Sequence, residues 1–428
     1  MPGERRYFGT DGVRGVVGVD LTEGLVAGLG RAFATWSGGA PVLIGRDTRA
    51  SGAALELALS AGLAAGGSEP SWGGILPTAA VALLAEGAGA VISASHNPPE
   101  YNGVKFFAPG GRKLTDEEEA EIEALLEVPA SLEAAEERWP ETDDYLRGRY
   151  VELVIERFGT PLRGLRLACD CANGALSALA PLAFERLGAL VTPLGNAPDG
   201  MNINVGCGAT DLGLLAQTVR DGDFDLGVAF DGDGDRMLAV DAAGTPLDGD
   251  QILAVLALHL DVGLVAVTSL TNLGFHRLMA ERGIRVLTTD VGDRYVREAL
   301  EREGGRLGGE QSGHVIYLNG QTTGDGLATA LLLCRALVQS GEPLERLAAA
   351  MTRFPQATQS VPVRVKVLTD RVRDEERRLN TELEGRGRVM VRPSGTEPVV
   401  RVLAEAESMV ECERACSRMA AVVATELG

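Results

Sequence analysis

The sequence predicts layered α/β domains over its first 350 residues and a small α+β domain after them. Short apolar runs alternate with helical patterns through the first part, and such alternation builds sheets covered by helices. The tail reads strand 361–367, helix 370–384, strands 388–392 and 398–405, then helix 408–426. Segments rich in Gly, Asp, Ser and Arg follow the apolar runs, at the strand ends where open α/β sheets bind ligands.

The β-like runs lie at 42–44, 90–92, 165–168, 226–230, 264–268 and 286–288. Helical patterns fall between them, among them 51–65, 175–187, 211–221 and 325–339. Thr115 with Glu118 reads as a capping box that starts an acidic helix. Polar, proline-containing stretches at 128–142 and 353–362 are expected to be linkers, and 240–252 a third boundary. The expected domains are therefore 1–142, 143–248, 249–358 and 359–428. A length of 428 residues by itself gives a prior of about three.

A net charge of −20 argues against nucleic acid or an anionic membrane as partner, so an anionic ligand needs a local cluster of cations. Arginine must supply most of them, since the only lysines are Lys105, Lys113 and Lys366. Arg5-Arg6 is not followed by an apolar stretch, so no signal peptide is expected. The apolar region 251–270 is interrupted by Asp261 and is too short to span a bilayer. No cysteine pair has C-x-x-C spacing; Cys169 and Cys171 share a strand, and Cys412 and Cys416 share a helix face. Buried thiols in a reducing cytoplasm fit this better than a zinc site.

Asp231-Gly232-Asp233-Gly234-Asp235-Arg236 directly follows the run 226–230. Alternate residues of an extended chain point the same way, and the glycines let the backbone curl so that three carboxylates converge. Carboxylates so placed repel one another unless a cation lies between them, and oxygen ligands favour Mg²⁺ or Ca²⁺. Arg236 can hold an anion beside the metal. An EF-hand is excluded, because its sixth and twelfth positions would be Arg236 and Ala242.

Ser93-Ala94-Ser95-His96-Asn97-Pro98 also follows a strand, and Asn102-Gly103-Val104-Lys105 comes next. Ser95 needs a base or a metal to act as a nucleophile. Taken alone, this segment serves equally well as a structural turn. It lacks the glycines of a G-x-S-x-G elbow, and no lysine of the chain follows a glycine as a Walker A loop requires. Arg392-Pro393-Ser394-Gly395-Thr396-Glu397-Pro398 offers a cradle for phosphate. Gly308-Gly309-Glu310-Gln311-Ser312-Gly313-His314 offers a carboxylate, an amide, a hydroxyl and an imidazole suited to sugar hydroxyls. Phe8–Gly15 and Gly45–Arg49 add two further Gly/Arg loops.

Taken together, the serine, aspartate, Gly-Glu-Gln-Ser-Gly-His and Arg-Pro-Ser-Gly-Thr-Glu-Pro segments resemble, in order, the four signature loops of the α-D-phosphohexomutase family. The N-terminal Phe8–Gly15 stretch resembles the branch of that family that acts on glucosamine phosphates. So do Asn202-Ile203-Asn204, Cys207-Gly208-Ala209-Thr210, Gln311 and Val291–Val296. Pro99-Glu100-Tyr101 departs from the branch pattern, which puts the local loop shape in question.

The resemblance spans essentially the whole chain. It implies three similar α/β domains with mixed sheets and a C-terminal α+β domain around a central cleft. It implies one Mg²⁺ held by Asp231, Asp233, Asp235 and phosphorylated Ser95. It implies exchange of glucosamine 6-phosphate and glucosamine 1-phosphate through a bisphosphate, for UDP-N-acetylglucosamine and peptidoglycan synthesis. Arg14, His96, Lys105 and Arg236 are then expected around the reacting group, with Lys105 assisting proton transfer through a lowered pKa. Glu310, Ser312 and His314 would hold the sugar. Arg392, Ser394, Gly395, Thr396 and Arg401 would hold the phosphate that is not reacting. The resemblance allows a monomer or a homodimer. The alternatives are the mannose- and glucose-phosphate branches, or a catalytically silent sugar-phosphate sensor.

Overall fold

The computed structural model describes residues 6–9, 11–128, 143–394 and 398–428. They fall into two compact units, Met1–Leu270 with Ile284–Ala350, and Thr271–Gly283 with Met351–Gly428. Residues 129–142, most of the first expected linker, lie outside the described residues, as do Gly395 and Thr396.

The larger unit holds three sheets. The first is built from β1 (Val13–Val16), β2 (Val42–Arg46), β3 (Pro70–Ile75), β4 (Ala88–Ile92), β5 (Tyr101–Ala108) and β6 (Arg112–Lys113), in the order β1-β5-β4-β2-β3 with β6 on β5. The second contains β7 (Arg166–Asp170), β8 (Leu190–Leu194), β9 (Leu226–Phe230), β10 (Met237–Asp241) and β11 (Pro246–Leu247), in the order β11-β10-β9-β7-β8. The third contains β12 (Leu264–Thr268), β13 (Arg285–Thr289), β14 (Leu307–Gly309) and β15 (Val315–Tyr317), in the order β13-β12-β14-β15.

All three sheets are mixed, and they share one design. A central strand (β4, β9 or β14) pairs in parallel on one side, then turns back into an antiparallel neighbour on the other. The serine loop, the aspartate loop and the Glu310 loop are those three turns. The central strands β4 and β9 are buried at every residue, as expected for strands covered on both faces. With few aromatics to hand, the first core stacks Phe33 on Phe106 with ring centroids 4.3 Å apart and fills the rest with Leu, Val, Ile and Ala. The capping box at Thr115 forms as expected and starts the helix Asp116–Ala124.

The smaller unit contains the sheet β16-β18-β17, formed by β16 (Gln356–Pro362), β17 (Gly387–Pro393) and β18 (Val399–Ala406), all antiparallel. Helices Asp370–Leu383 and Met409–Leu427 cover it, close to the expected positions. Two expectations are corrected. Residues 353–362 are mostly the edge strand β16 and not a linker, so a boundary at 358 would cut a strand. The strand expected at 361–367 lies five residues earlier. Val365 and Val367 continue the apolar alternation but are 55% and 73% exposed, while the polar Gln356–Ser360 stretch pairs with β18. Residues 240–252 likewise hold the end of β10, β11 and the start of helix Gly249–His259. All six cysteines are buried and free. No helix among the described residues is long and apolar enough to cross a membrane.

Candidate active site

The serine loop and the aspartate loop meet although they lie far apart in the chain. Ser95 Oγ donates to Asp231 Oδ2 at 2.6 Å and lies 3.2 Å from His96 Nδ1. Ser95 is fully buried and has a φ of +52°. That left-handed conformation is uncommon for a non-glycine residue and costs about 1–3 kcal/mol unless its surroundings enforce it. Gly232 packs under it, and a Cβ there would come within 2.5 Å of the Ser95 carbonyl oxygen. Gly234, at φ +73°, closes the turn that brings the three carboxylates together.

Asp231, Asp233 and Asp235 are buried, with one carboxylate oxygen of each inside a 4.8 Å group. Asp233 Oδ2 accepts from Thr78 Oγ1 at 2.6 Å and from Lys105 Nζ at 2.8 Å. Asp233 Oδ1 and Asp235 Oδ1 are buried without a hydrogen-bond partner. Buried carboxylate oxygens without hydrogen-bond partners, in an all-oxygen cluster, suit a hard divalent cation. Burial, reinforced by Asp235 and Asp233, pushes the Asp231 carboxyl well above the usual range. Asp235 goes the other way: burial opposes ionisation, but Lys105, His314 and Arg236 outweigh it.

The cations surround this group. Lys105 Nζ lies 2.8 Å from Asp233, 2.9 Å from Asp11 and 3.2 Å from Asp235. Burial pulls its pKa down, yet the three carboxylates hold it well above its ordinary value. The expectation of a lowered Lys105 pKa is therefore reversed, because the three carboxylates outweigh burial and the nearby Arg14. Arg14 pairs with Asp11 and donates to the Ala94 carbonyl at 3.3 Å. Arg236 Nε is 3.8 Å from Asp235 and has no hydrogen-bond partner, and its backbone N–H donates to Asp231 Oδ1. Burial, then Arg236 and Arg14, lower His96 to about 4, so it is neutral at pH 7.

The Glu310 loop delivers its side chains differently from the expectation. Ser312 Oγ has no hydrogen-bond partner, and Glu310 Oε1 accepts from the Gly292 N–H at 3.1 Å. Burial, with Asp293 adding to it, raises the Glu310 carboxyl. His314, expected to hold sugar hydroxyls, is buried between two carboxylates, 3.6 Å from Asp235 and 3.2 Å from Asp293. Burial opposes its charge, but these neighbours raise it to about 10. Asp293 also pairs with Lys113, which pairs with Asp11. The segment 291–296, read as a mark of the glucosamine-phosphate branch, thus builds contacts between domains. Arg294 pairs with Asp116 and Glu119, and Tyr295 donates to Asp116 at 3.2 Å.

The structure adds residues that the sequence reading did not single out: Asp11, Thr78, Lys113 and Asp293. Lys113 had a signal in the scarcity of lysine; Thr78 had none. In the Gly45–Arg49 loop, Arg46 pairs with buried Glu56, and Arg49 is engaged by Asp47 and backbone carbonyls. In the smaller unit, Arg392 and Arg401 face each other across β17 and β18, and Lys366 Nζ donates to the Ser394 carbonyl at 3.0 Å.

Four family profiles match the chain in succession. They are phosphoglucomutase/phosphomannomutase alpha/beta/alpha domain I over residues 5–132, domain II over 148–244, domain III over 248–354 and the C-terminal domain over 340–422. The chain belongs to the phosphoglucomutase/phosphomannomutase family. Among its relatives is the phosphoglucosamine mutase of Pelotomaculum thermopropionicum, 47% identical over 445 residues covering 97% of this chain and 98% of that one. The phosphoglucosamine mutase of Bacillus cereus AH187 is 44% identical, with 99% of each chain covered. A solved phosphoglucomutase/phosphomannomutase family protein from Burkholderia thailandensis superposes with a TM-score of 0.79 at 25% identity over 97% of each chain.

Proposed function

We propose that this chain interconverts glucosamine 6-phosphate and glucosamine 1-phosphate, with Ser95 as the phosphoryl carrier and Mg²⁺ on Asp231, Asp233 and Asp235. The observation that carries this reading is the Ser95 hydroxyl, donating at 2.6 Å to a buried aspartate triad in which two carboxylate oxygens have no hydrogen-bond partner. The metal, when bound, neutralises charge on the transferring phosphoryl group. The free hydroxyl of the hexose phosphate attacks the phosphorus carried by Ser95: a sugar O–P bond forms as the Ser95 Oγ–P bond breaks and the hydroxyl proton ends on the released Ser95 oxygen, and the reverse exchange brings the other phosphate of the bisphosphate to Ser95. Lys105 acts as a fixed cation beside the reacting oxygens. Arg14 and Arg236 stabilise the equatorial oxygens, and neutral His96 sits against the serine oxygen as it gains and loses charge. Glu310 and Ser312 hold sugar hydroxyls, while His314 keeps Asp235 and Asp293 in place. Arg392, Ser394, Gly395, Thr396 and Arg401 grip the distal phosphate; the facing pair Arg392 and Arg401 suits an anion between them. The four matched domains carry serine, metal, sugar and phosphate functions in turn. The reaction belongs to the cytoplasm, where its product leads to UDP-N-acetylglucosamine.

The substrate assignment is supported by the names of the relatives at 44–47% identity. Steady-state kcat/KM for glucosamine, glucose and mannose phosphates, with products read by ³¹P NMR, tests it. A preference of about a hundredfold for glucosamine phosphate is expected, which needs only ~2.7 kcal/mol of differential transition-state binding. If glucose or mannose phosphate wins by tenfold, the substrate assignment falls and the phosphoryl-transfer assignment stands. No turnover of any hexose phosphate, with no phosphate ever found on Ser95, leaves a sensor.

A further inference from the structure

A buried side-chain cradle surrounds the backbone of Ser95, and no step of the proposed reaction uses it. Asp47 and Arg49 lie just beyond β2 with side chains that have no solvent exposure, joined Nε to Oδ2 at 2.9 Å. The Arg49 guanidinium donates to four carbonyls of the serine loop: Ser95 at 3.1 Å, Asn97 at 2.8 Å, Tyr101 at 2.9 Å, and Pro98. Asn204, from the second domain, donates to the same Ser95 and Asn97 carbonyls at 2.9 and 3.1 Å. Asp47 Oδ2 also accepts from the Ser93 hydroxyl at 2.6 Å, which leaves the Ser93 oxygen to accept the Ser95 N–H at 2.8 Å. The Ser95 carbonyl is thus fixed from outside its own loop, and its N–H by Ser93 at the start of that loop, which Asp47 holds in turn.

We infer that Arg49, oriented by Asp47, is a positioning residue for phosphoryl transfer at Ser95. The inference rests on the carrier role proposed above. A carrier serine must return to one geometry whether or not it bears phosphate, and its φ of +52° is not one the loop would hold unaided. One guanidinium reaching four carbonyls fixes the turn as a unit, and only arginine has the donors to do so. Arg49 touches no reacting atom; it acts through the backbone, on the distance between Ser95 Oγ and Asp231.

The test uses full-length Arg49→Lys and Ser93→Ala with Mg²⁺. Trp72→Phe serves as a control that loses a part-buried hydrogen bond to Ser60 in the same domain. Turnover is divided by the fraction of molecules phosphorylated on Ser95, read by intact mass. Arg49→Lys is expected to lower this kcat about a hundredfold with KM within threefold, and Ser93→Ala about tenfold, while Trp72→Phe changes only Tm. If Arg49→Lys does not fold, Ser93→Ala decides alone. A per-carrier kcat within twofold of the parent in the folded variants shows a purely structural role and overturns the inference. A parent chain that never carries phosphate on Ser95 overturns the carrier assignment instead, so the two failures are told apart.

Discussion

The loop between β4 and β5 and the loop between β9 and β10 turn the chain at the same point of two equivalent sheets, yet they are held by different means. The aspartate loop takes its curl from its own glycines and closes on itself through the Arg236 and Gly234 N–H groups to Asp231, while Thr78, Lys105 and Ser95 engage its carboxylates from outside. The serine loop is held by Asp47, Ser93, Arg49 and Asn204, brought from β2, from its own start and from another domain. The first loop gathers charge for a cation that stays. The second must keep one oxygen in place while a group arrives and leaves. Glycines give the first its curl, whereas the second, with a non-glycine residue at positive φ, has its turn imposed by side chains from several directions.

The largest way to sharpen that contrast is Ser95→Ala, expected to lower kcat at least about 10⁴-fold while leaving KM and Tm nearly unchanged. Kinetics and thermal unfolding on one preparation check it. Next comes Asp231→Asn, expected to cost about a thousandfold in kcat and to abolish the response of Tm to Mg²⁺. With EDTA present its Tm should equal or exceed the parent's. The amide removes the one carboxylate that burial and its neighbours push up, whereas Asp233 and Asp235 are paired by Lys105. A large Tm loss there would break the picture of a metal loop curled by its own glycines.

Gly232→Ala tests where the two loops touch. Its Cβ would press on the Ser95 carbonyl, so about a tenfold fall in kcat and ~1–3 kcal/mol of stability are expected by urea unfolding. The smallest effect lies behind the serine loop, at Glu56 against Arg46. Burial lifts Glu56 to about 7 despite its partner. A carboxyl raised on folding contributes stability below its unfolded pKa and loses it as pH rises through the folded value. Stability should therefore decline between pH 4.5 and 7 by on the order of 2 kcal/mol. Glu56→Gln should flatten that slope with kcat unchanged.

What could be read in advance follows the same contrast. The aspartate loop was legible because its function lies in six consecutive residues and their spacing. The order of strands and the small final domain were legible because apolar runs of distinct period report them. Ser95 was half legible: its strand-end place shows in the sequence, but its partner Asp231 is 136 positions away. The place of Arg49, the pKa of Lys105 and the surroundings of His314 were not legible for one reason. Residue type announces a cation, while the carboxylates and carbonyls that engage it come from distant segments. β16 was hidden because an edge strand with one neighbour can be polar, and Val365 and Val367 mimicked its continuation.

The backbone angle at Ser95 also limits the alphabet available to this site. Threonine carries the same hydroxyl and would be as good a phosphate carrier by chemistry alone. A β-branched side chain at φ +52° is a true outlier, because its second γ substituent crowds the backbone. The two hydroxylic residues, interchangeable at many exposed positions, are therefore separated here by conformation and not by reactivity. Ser95→Thr keeps every functional group and loses the turn that presents them.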